Sequence, residues 1–193
     1  MSDLTITHSG VAVTANSAGS SISTGRRKII RVTPTLDTSA YAVGDVLFNS
    51  VEIPNAVKED GGCSKLTGMY ILNQNLTDTD LDFIFSENSM TLGTQNATAN
   101  ISDPNIEAAN VTGFLHLDSG AATTSQLDNS EIKRVTDAGH SGADSANAHA
   151  QPATPILLQA AEGSTSVYVA AIVVAGTPTL AADDIDLIFH IEY

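Results

Sequence analysis

The chain has 193 residues, of which 42% are hydrophobic and 16% charged, and this is the composition of a folded domain and not of a disordered segment. Its formal net charge of −14 excludes nucleic acid as the main partner, because phosphate binding requires a basic face. The lone cysteine, Cys63, excludes an intramolecular disulfide and a zinc ribbon. The N-terminus has no signal-peptide pattern, and the longest apolar run, VYVAAIVVA, is too short to span a membrane. We therefore expect folding in a cytoplasm and no membrane partner.

Alternation of apolar and polar residues recurs along the chain, with Gly-, Asn-, Asp- and Ser-rich turns between the alternating segments. The alternation predicts nine strands, at residues 4–14, 28–36, 45–53, 65–73, 80–87, 110–118, 155–161, 166–175 and 184–193. One short helix is predicted in SDPNIEAAN, where Asp103 can cap, Pro104 suits the first turn and Glu107 favours the helix dipole. This pattern predicts an all-β fold, an antiparallel β-sandwich of the jelly-roll type with an N-terminal arm.

The domain organisation follows from the polar stretches. Residues 1–25 are predicted to be an arm and a linker, because ANSAGSSISTG has the composition of a flexible connection. Residues 26–193 are predicted to form a single β-sandwich domain. Within it, residues 119–152 show almost no apolar periodicity and are predicted to be a long polar loop.

Two segments repeat one pattern. LTDTDLDFIF and LAADDIDLIF both run from a leucine through an acidic turn into alternating apolar residues. We expect Leu81, Phe83 and Phe85 on one face of the first strand and Ile185, Leu187 and Phe189 on one face of the second, with Asp82 and Asp186 on the opposite faces. The repetition favours equivalent strand entries over one dedicated site.

The acidic turn before the first of these strands is a candidate metal site. An EF-hand loop that started at Asp78 would need a glycine at its sixth position, and the sequence has strand residues there. A loose surface calcium site at Asp78 and Asp80 is the alternative to a solvated turn, and we expect the solvated turn. No metal site and no cofactor are predicted.

A catalytic alternative rests on GHSGA, which is close to the G-x-S-x-G nucleophile elbow with Ser141 as nucleophile. That elbow needs a strand before it and a helix after it, whereas both flanks here are polar. His140 and His149 with Asp137 and Asp144 match no short metal-binding spacing. The sequence therefore predicts no enzyme and no catalytic residue.

The segment GRRKIIR holds four of the eight Lys and Arg residues of the chain. It is either a solvated strand end or a docking patch for an acidic protein surface. Together with the alternating residues of the arm, it supplies the candidate capsid or subunit contact: Leu4, Ile6, Val11, Val13, Arg26, Arg27, Lys28 and Arg31.

Several stretches carry a family resemblance. They are DTSAYAVGDVL, GGCSKLT, DLDFIFSEN with a following TLG, all within residues 33–103, and the closing GTPTLAADDIDLIFHIEY. In these the chain resembles a type of tailed-bacteriophage virion protein found in marine and cyanobacterial phages. These are strand-and-turn signatures, and the family supplies no catalytic residues to carry over.

The resemblance implies a structural component of the particle, with head decoration favoured over tail or fibre. It implies the major capsid protein or other virion proteins as partners, a homo-oligomer with a trimer as the first expectation, and a place on the capsid surface after assembly in the bacterial cytoplasm. The alternatives left open are a tail, neck or fibre component, including a glycan-binding knob, and a hydrolase that uses Ser141 and His140.

Overall fold

Twelve strands and one short helix make up the part of the chain that the computed structural model describes, which is residues 4–8, 11–15, 27–120, 122–135 and 155–193. The strands are β1 (Leu4–His8), β2 (Val11–Ala15), β3 (Arg27–Val32), β4 (Val46–Ile53), β5 (Cys63–Asn73), β6 (Asp80–Ser86), β7 (Val111–Leu117), β8 (Thr123–Gln126), β9 (Glu131–Val135), β10 (Ile156–Gln159), β11 (Val167–Ala175) and β12 (Ile185–Glu192). The helix α1 (Asp103–Ala109) lies between β6 and β7.

Two antiparallel sheets form the body. The larger sheet has the order β3-β12-β5-β9-β8, with β10 also paired to β5, and the smaller one has the order β4-β11-β6-β7. Strands β9 and β10 lie one after the other along β5, because β9 pairs with residues 69–73 and β10 with residues 63–66. They thus complete one geometric strand that residues 136–155 interrupt in the sequence.

When β9 and β10 are counted as one strand, the two sheets of the body have a jelly-roll strand order, to which β8 adds an edge. The prediction of an all-β sandwich of this type is confirmed. At one side of the sandwich β3 contacts β4, and at the other β7 contacts β9 and β10. These two sides are the edges at which the sheets meet.

The main core lies between the two sheets. The alternation predicted for the repeated segments is confirmed, because the same-face residues of both strands are buried in this core: Leu81, Phe83, Phe85, Ile185, Leu187 and Phe189. Phe85 and Phe189 come from opposite sheets and meet edge-on, with ring centroids 6.2 Å apart. The two repeats are therefore equivalent strands, one in each sheet.

A second, smaller cluster covers part of the outer face of the four-stranded sheet. The chain between β6 and β7 folds back over that face, and the buried residues of the cluster are Val46, Met90, Leu92, Ala109 and Ala170. Helix α1 belongs to this cover and ends at Asn110, whose φ of 51° is the left-handed conformation that often terminates helices. The predicted helix is present, but its N-cap is Ser102, so Asp103 is the first helical residue and not the cap.

Two element predictions are wrong. Residues 4–14 are not one strand, because β1 and β2 are separate strands that pair antiparallel; we call this pair the N-terminal hairpin. Residues 119–152 are not loop throughout, because β8 and β9 lie in their first part. Every second residue of β9 is buried, as expected for a strand, but two of these buried residues are the charged Glu131 and Lys133. The sequence of β9 therefore shows no alternation of apolar and polar residues.

Candidate functional site

Strand β3 presents a basic and apolar stripe at one edge of the larger sheet. Arg27, Ile29 and Arg31 are exposed and alternate with Ile30, which is buried in the core. The side chain of Ile29 is 65% exposed. We call Arg27, Ile29 and Arg31 the β3 stripe. Lys28 falls on the inward-facing register with Ile30 and is half-buried.

The β3 stripe is fixed to the sheet by a cross-strand ion pair. Arg31 donates a hydrogen bond to the carboxylate of Asp186 on β12, and the hydroxyl of Thr33 donates another. The bond from Arg31 lowers the pKa of Asp186, an effect that burial opposes and the Thr33 bond reinforces. The same bond raises the pKa of Arg31 above its already high ordinary value.

The four-stranded sheet has an equivalent pair at its own edge. His116 on β7 lies directly opposite Asp82 on β6, with Nδ1 2.7 Å from Oδ1. Both aspartates of the repeated pattern, Asp82 and Asp186, thus bind a side chain of an edge strand from the outward face of an inner strand. The expected outward position of these aspartates is confirmed, and each one links an edge strand to the neighbouring strand of its sheet.

An apolar groove lies on the outer face of the four-stranded sheet, beside the edge strand β7. Its volume is about 490 Å³. Its lining residues come from β6, α1 and the start of β7, and they are Asp82, Ile84, Ile106, Glu107, Val111 and Phe114, which we call the β7 groove. Phe114 is 63% exposed, Val111 40% and Ile106 39%. The second core cluster reaches Ile84 but not the other apolar lining residues, which stay open to solvent.

A buried ionic cluster lies inside the body on β9. The Lys133 ammonium is 2.9 Å from Asp78 Oδ1 and 3.0 Å from Glu131 Oε1, and Asn73 Nδ2 donates to the same Glu131 oxygen at 2.9 Å. The side chains of Lys133 and Glu131 are only 3% and 4% exposed. Burial lowers the pKa of Lys133, but the hydrogen bonds and charges of Asp78 and Glu131 outweigh burial, so this pKa lies above its ordinary value.

A cavity of about 20 Å³ adjoins the buried cluster. Leucine and isoleucine side chains line most of it, together with Asn73, Thr77, Thr79 and Lys133. The space admits about one water molecule and no substrate. The cluster is therefore a packing element that joins β9 to the turn before β6.

The aspartates of the acidic turn, which is the candidate metal site, bind other residues of the chain. Besides the Asp78 contact with Lys133, Asp80 Oδ1 accepts hydrogen bonds from the backbone N–H and the hydroxyl of Ser119. Asp78 is 80% exposed, as a solvated turn requires, but the turn is also tied to β9 and to the end of β7. Within residues 27–120, 122–135 and 155–193, no three His, Cys, Asp or Glu side chains come together in a way that could hold a metal ion.

The predicted contact residues that the structure describes fall on three strands. Leu4 and Ile6 lie on β1, Val11 and Val13 lie on β2, and the register pairs Ile6 with Val13. The hairpin forms a sheet of its own. Arg27, Lys28 and Arg31 lie on β3, where Lys28 is separated from the outward pair. Arg26 lies outside the described residues, as do the catalytic and metal candidates Asp137, His140, Ser141, Asp144 and His149.

Sequence reasoning missed the apolar members of both surfaces, although each had a signal. Ile29 and Ile30 are adjacent in a strand, so only one of them can face the core. Phe114 lies in a strand whose inward positions are already filled by Leu115 and Leu117. Both surfaces are suited to binding another protein, since each combines exposed apolar area with charges at its rim. None of the described helices is long and apolar enough to cross a membrane.

Comparisons with known proteins do not identify a family for this chain. No protein-family model matches the chain, and no curated protein matches it. Among solved structures, a chain of Desmodium yellow mottle tymovirus aligns with a TM-score of 0.26 and 10% identity over 100% of this chain and 94% of that chain. A chain of infectious bursal disease virus Gx strain aligns with a TM-score of 0.21 and 14% identity over 96% of this chain and 44% of that chain. TM-scores of this size carry no argument about fold or function, and the fold class rests on the strand order described above.

Proposed function

We propose that this protein is a non-enzymatic structural component of a tailed-bacteriophage particle, and that it decorates or cements the outer surface of the head. The resemblance of residues 33–103 and 176–193 to virion proteins of such phages supports this assignment. So does the architecture, because a shell component present in many copies requires a well-packed body with surfaces for its neighbours. In this proposal the protein is assembled onto the capsid in the bacterial cytoplasm, and its partners are the major capsid protein and further copies of itself.

The observation that carries the proposal is the β3 stripe. A chain with a net charge of −14 places two exposed arginines around an exposed isoleucine at the edge of its sandwich. Ile29 is 65% exposed, and a partner surface that covers it together with the flanking arginines gains its apolar area. Arg27 favours an acidic partner, and Arg31, which already pairs with Asp186, adds exposed donor surface beside it.

The N-terminal hairpin is a second candidate contact. Its residues precede β3 in the chain, and a strand of this kind can add to an exposed sheet edge through main-chain hydrogen bonds. A two-stranded hairpin by itself is marginally stable in water, so a partner that extends it contributes to its order. We propose that residues 4–15 contact the shell.

The absence of an enzymatic role is part of the proposal. The buried pair Lys133 and Glu131 is neutralised within the body, and Lys133 also binds the exposed Asp78. They hold strands together beside a cavity too small for a substrate. Their geometry is explained by packing.

Binding of the purified protein to particles that lack it tests the proposal. We expect saturable binding, and we expect Arg27→Glu with Arg26→Glu to weaken it more at low salt than at high salt, since exposed charges are screened by ions. Arg134→Glu is the matched control, because Arg134 is an exposed arginine on β9 outside the β3 stripe. A protein that does not bind such particles at any salt concentration is not a decoration protein.

A further inference from the structure

We propose that the β3 stripe of one copy docks in the β7 groove of a second copy, so that the copies associate head to tail. This contact deepens the proposed shell function and rests on it, since it names the neighbour of β3 as another copy. The N-terminal hairpin then remains available for the shell.

The groove has the properties of a protein-binding surface. Phe114, Val111 and Ile106 are grouped, and each is at least 39% exposed. Single exposed apolar side chains are normal on a protein surface, whereas three grouped ones offer a contiguous apolar area for a partner to cover. Two carboxylates, Asp82 and Glu107, stand among the lining residues.

The β3 stripe is complementary to this groove in apolar character and in charge. It places one exposed apolar side chain, Ile29, between Arg27 and Arg31. The groove offers apolar side chains with Glu107 beside them and with Asp82, which already binds His116, and its lining includes no Lys or Arg. An apolar contact flanked by opposite charges gains from burial and from the orientation that the charges impose.

The fold prevents the two surfaces from meeting within one chain. Strand β3 lies at the side of the sandwich where it contacts β4, and β7 lies at the other side, where it contacts β9 and β10. Strands β11 and β6 separate β4 from β7 within the smaller sheet. Docking must therefore join two copies through different surfaces, and such a contact either closes into a ring or continues along a shell.

Self-association of the purified full-length chain tests the contact without any particle. We expect concentration-dependent association in sedimentation equilibrium, weaker at high salt. Arg27→Glu, Glu107→Arg and Phe114→Ser should each weaken it about 10-fold or more, which is the size of a central contact. The double variant Arg27→Glu/Glu107→Arg should recover most of the lost association. At every contact the glutamate at position 27 of one copy then meets the arginine at position 107 of the next.

Two matched controls separate this contact from a general surface effect. Arg134→Glu makes the same charge change on β9, and Leu127→Ser removes an apolar side chain that is 52% exposed away from both surfaces. Both should leave association unchanged, and circular dichroism should show that all variants fold.

A disulfide experiment locates the contact. In a Cys63→Ser background, Ile29→Cys combined with Phe114→Cys should form covalent oligomers under mild oxidation, whereas a mixture of the two single-cysteine proteins should yield only the mixed dimer. A chain that stays monomeric at millimolar concentration, or that associates equally well with Phe114→Ser and the charge reversals, overturns the proposal. If Glu107→Arg and Phe114→Ser instead lose only their binding to particles, the occupant of the groove is the shell protein, and the head-to-tail contact is wrong while the decoration function stands.

Discussion

Replacing Lys133 by methionine should destabilise the body much more than an ordinary surface change does. Glu131 is only 3% exposed. The substitution removes the cation that binds its carboxylate and leaves the Asn73 amide as a remaining donor. Removing one member of a buried ion pair costs about 3–5 kcal/mol. The lower end, about 3 kcal/mol, applies here because the third partner, Asp78, is 80% exposed and regains water. For a chain of this length that loss lowers the melting temperature by about 6–12 °C.

A double-mutant cycle gives the sharper result. Glu131→Leu alone leaves the buried Lys133 ammonium with Asp78 as its remaining partner and should also destabilise. Lys133→Met with Glu131→Leu replaces the pair by apolar side chains and should cost about 1 kcal/mol or less. The coupling free energy should therefore be about 2 kcal/mol or more. Guanidinium unfolding followed by circular dichroism measures all four proteins.

The control is Arg134→Met, one residue further along β9 on its exposed face, which should change the free energy of unfolding by less than about 0.5 kcal/mol. If Lys133→Met costs no more than Arg134→Met, or if the two single losses simply add, Lys133 does not pair with Glu131 inside the body and the account of β9 is wrong.

Four further outcomes follow from the fold and the surfaces. Because the pKa of Asp186 is lowered in the folded protein, its ionised carboxylate stabilises the fold above the ordinary pKa of 3.8, and this stabilisation is lost as the pH falls through the lower folded value. Urea unfolding of wild type and Asp186→Asn should therefore differ at pH 7 and converge at strongly acidic pH. Asp78→Asn with Asp80→Asn should lower the melting temperature by the same few degrees with and without calcium; a calcium-dependent rise in wild type that this variant abolishes would reveal a metal site. Shortening residues 138–150 should leave soluble, folded protein, because the interruption between β9 and β10 falls there, and insoluble protein would contradict this organisation. Deleting residues 1–20 should leave a folded body that no longer decorates empty particles, and undiminished binding to those particles would refute the shell contact of the hairpin.

The repeated segments show why much of the fold was predictable. In Leu81–Phe85 and Ile185–Phe189 the strand period, the burial and the acidic entry all agree, so sequence alone placed both in the core. The helix was also predictable in position, although its first residue differs by one from the predicted cap.

Strand β9 shows where sequence reasoning fails. Its inward face carries Glu131 and Lys133, and their burial depends on each other and on Asn73 and Asp78, which are more than 50 residues away in the chain. A window of neighbouring residues cannot reveal such a pairing. The cations of the candidate contact were visible as a cluster in the sequence, but the β7 groove was not, because it is assembled from β6, α1 and β7.

The number of copies in the particle tests the central claim most directly. Quantitative mass spectrometry of purified virions, scaled to the major capsid protein, gives this number without assumptions about the contact surfaces. A decoration protein that follows the symmetry of the shell should be present in hundreds of copies. A count of about a dozen or fewer would place the chain in the tail or neck, whose rings hold few subunits, and would contradict the account.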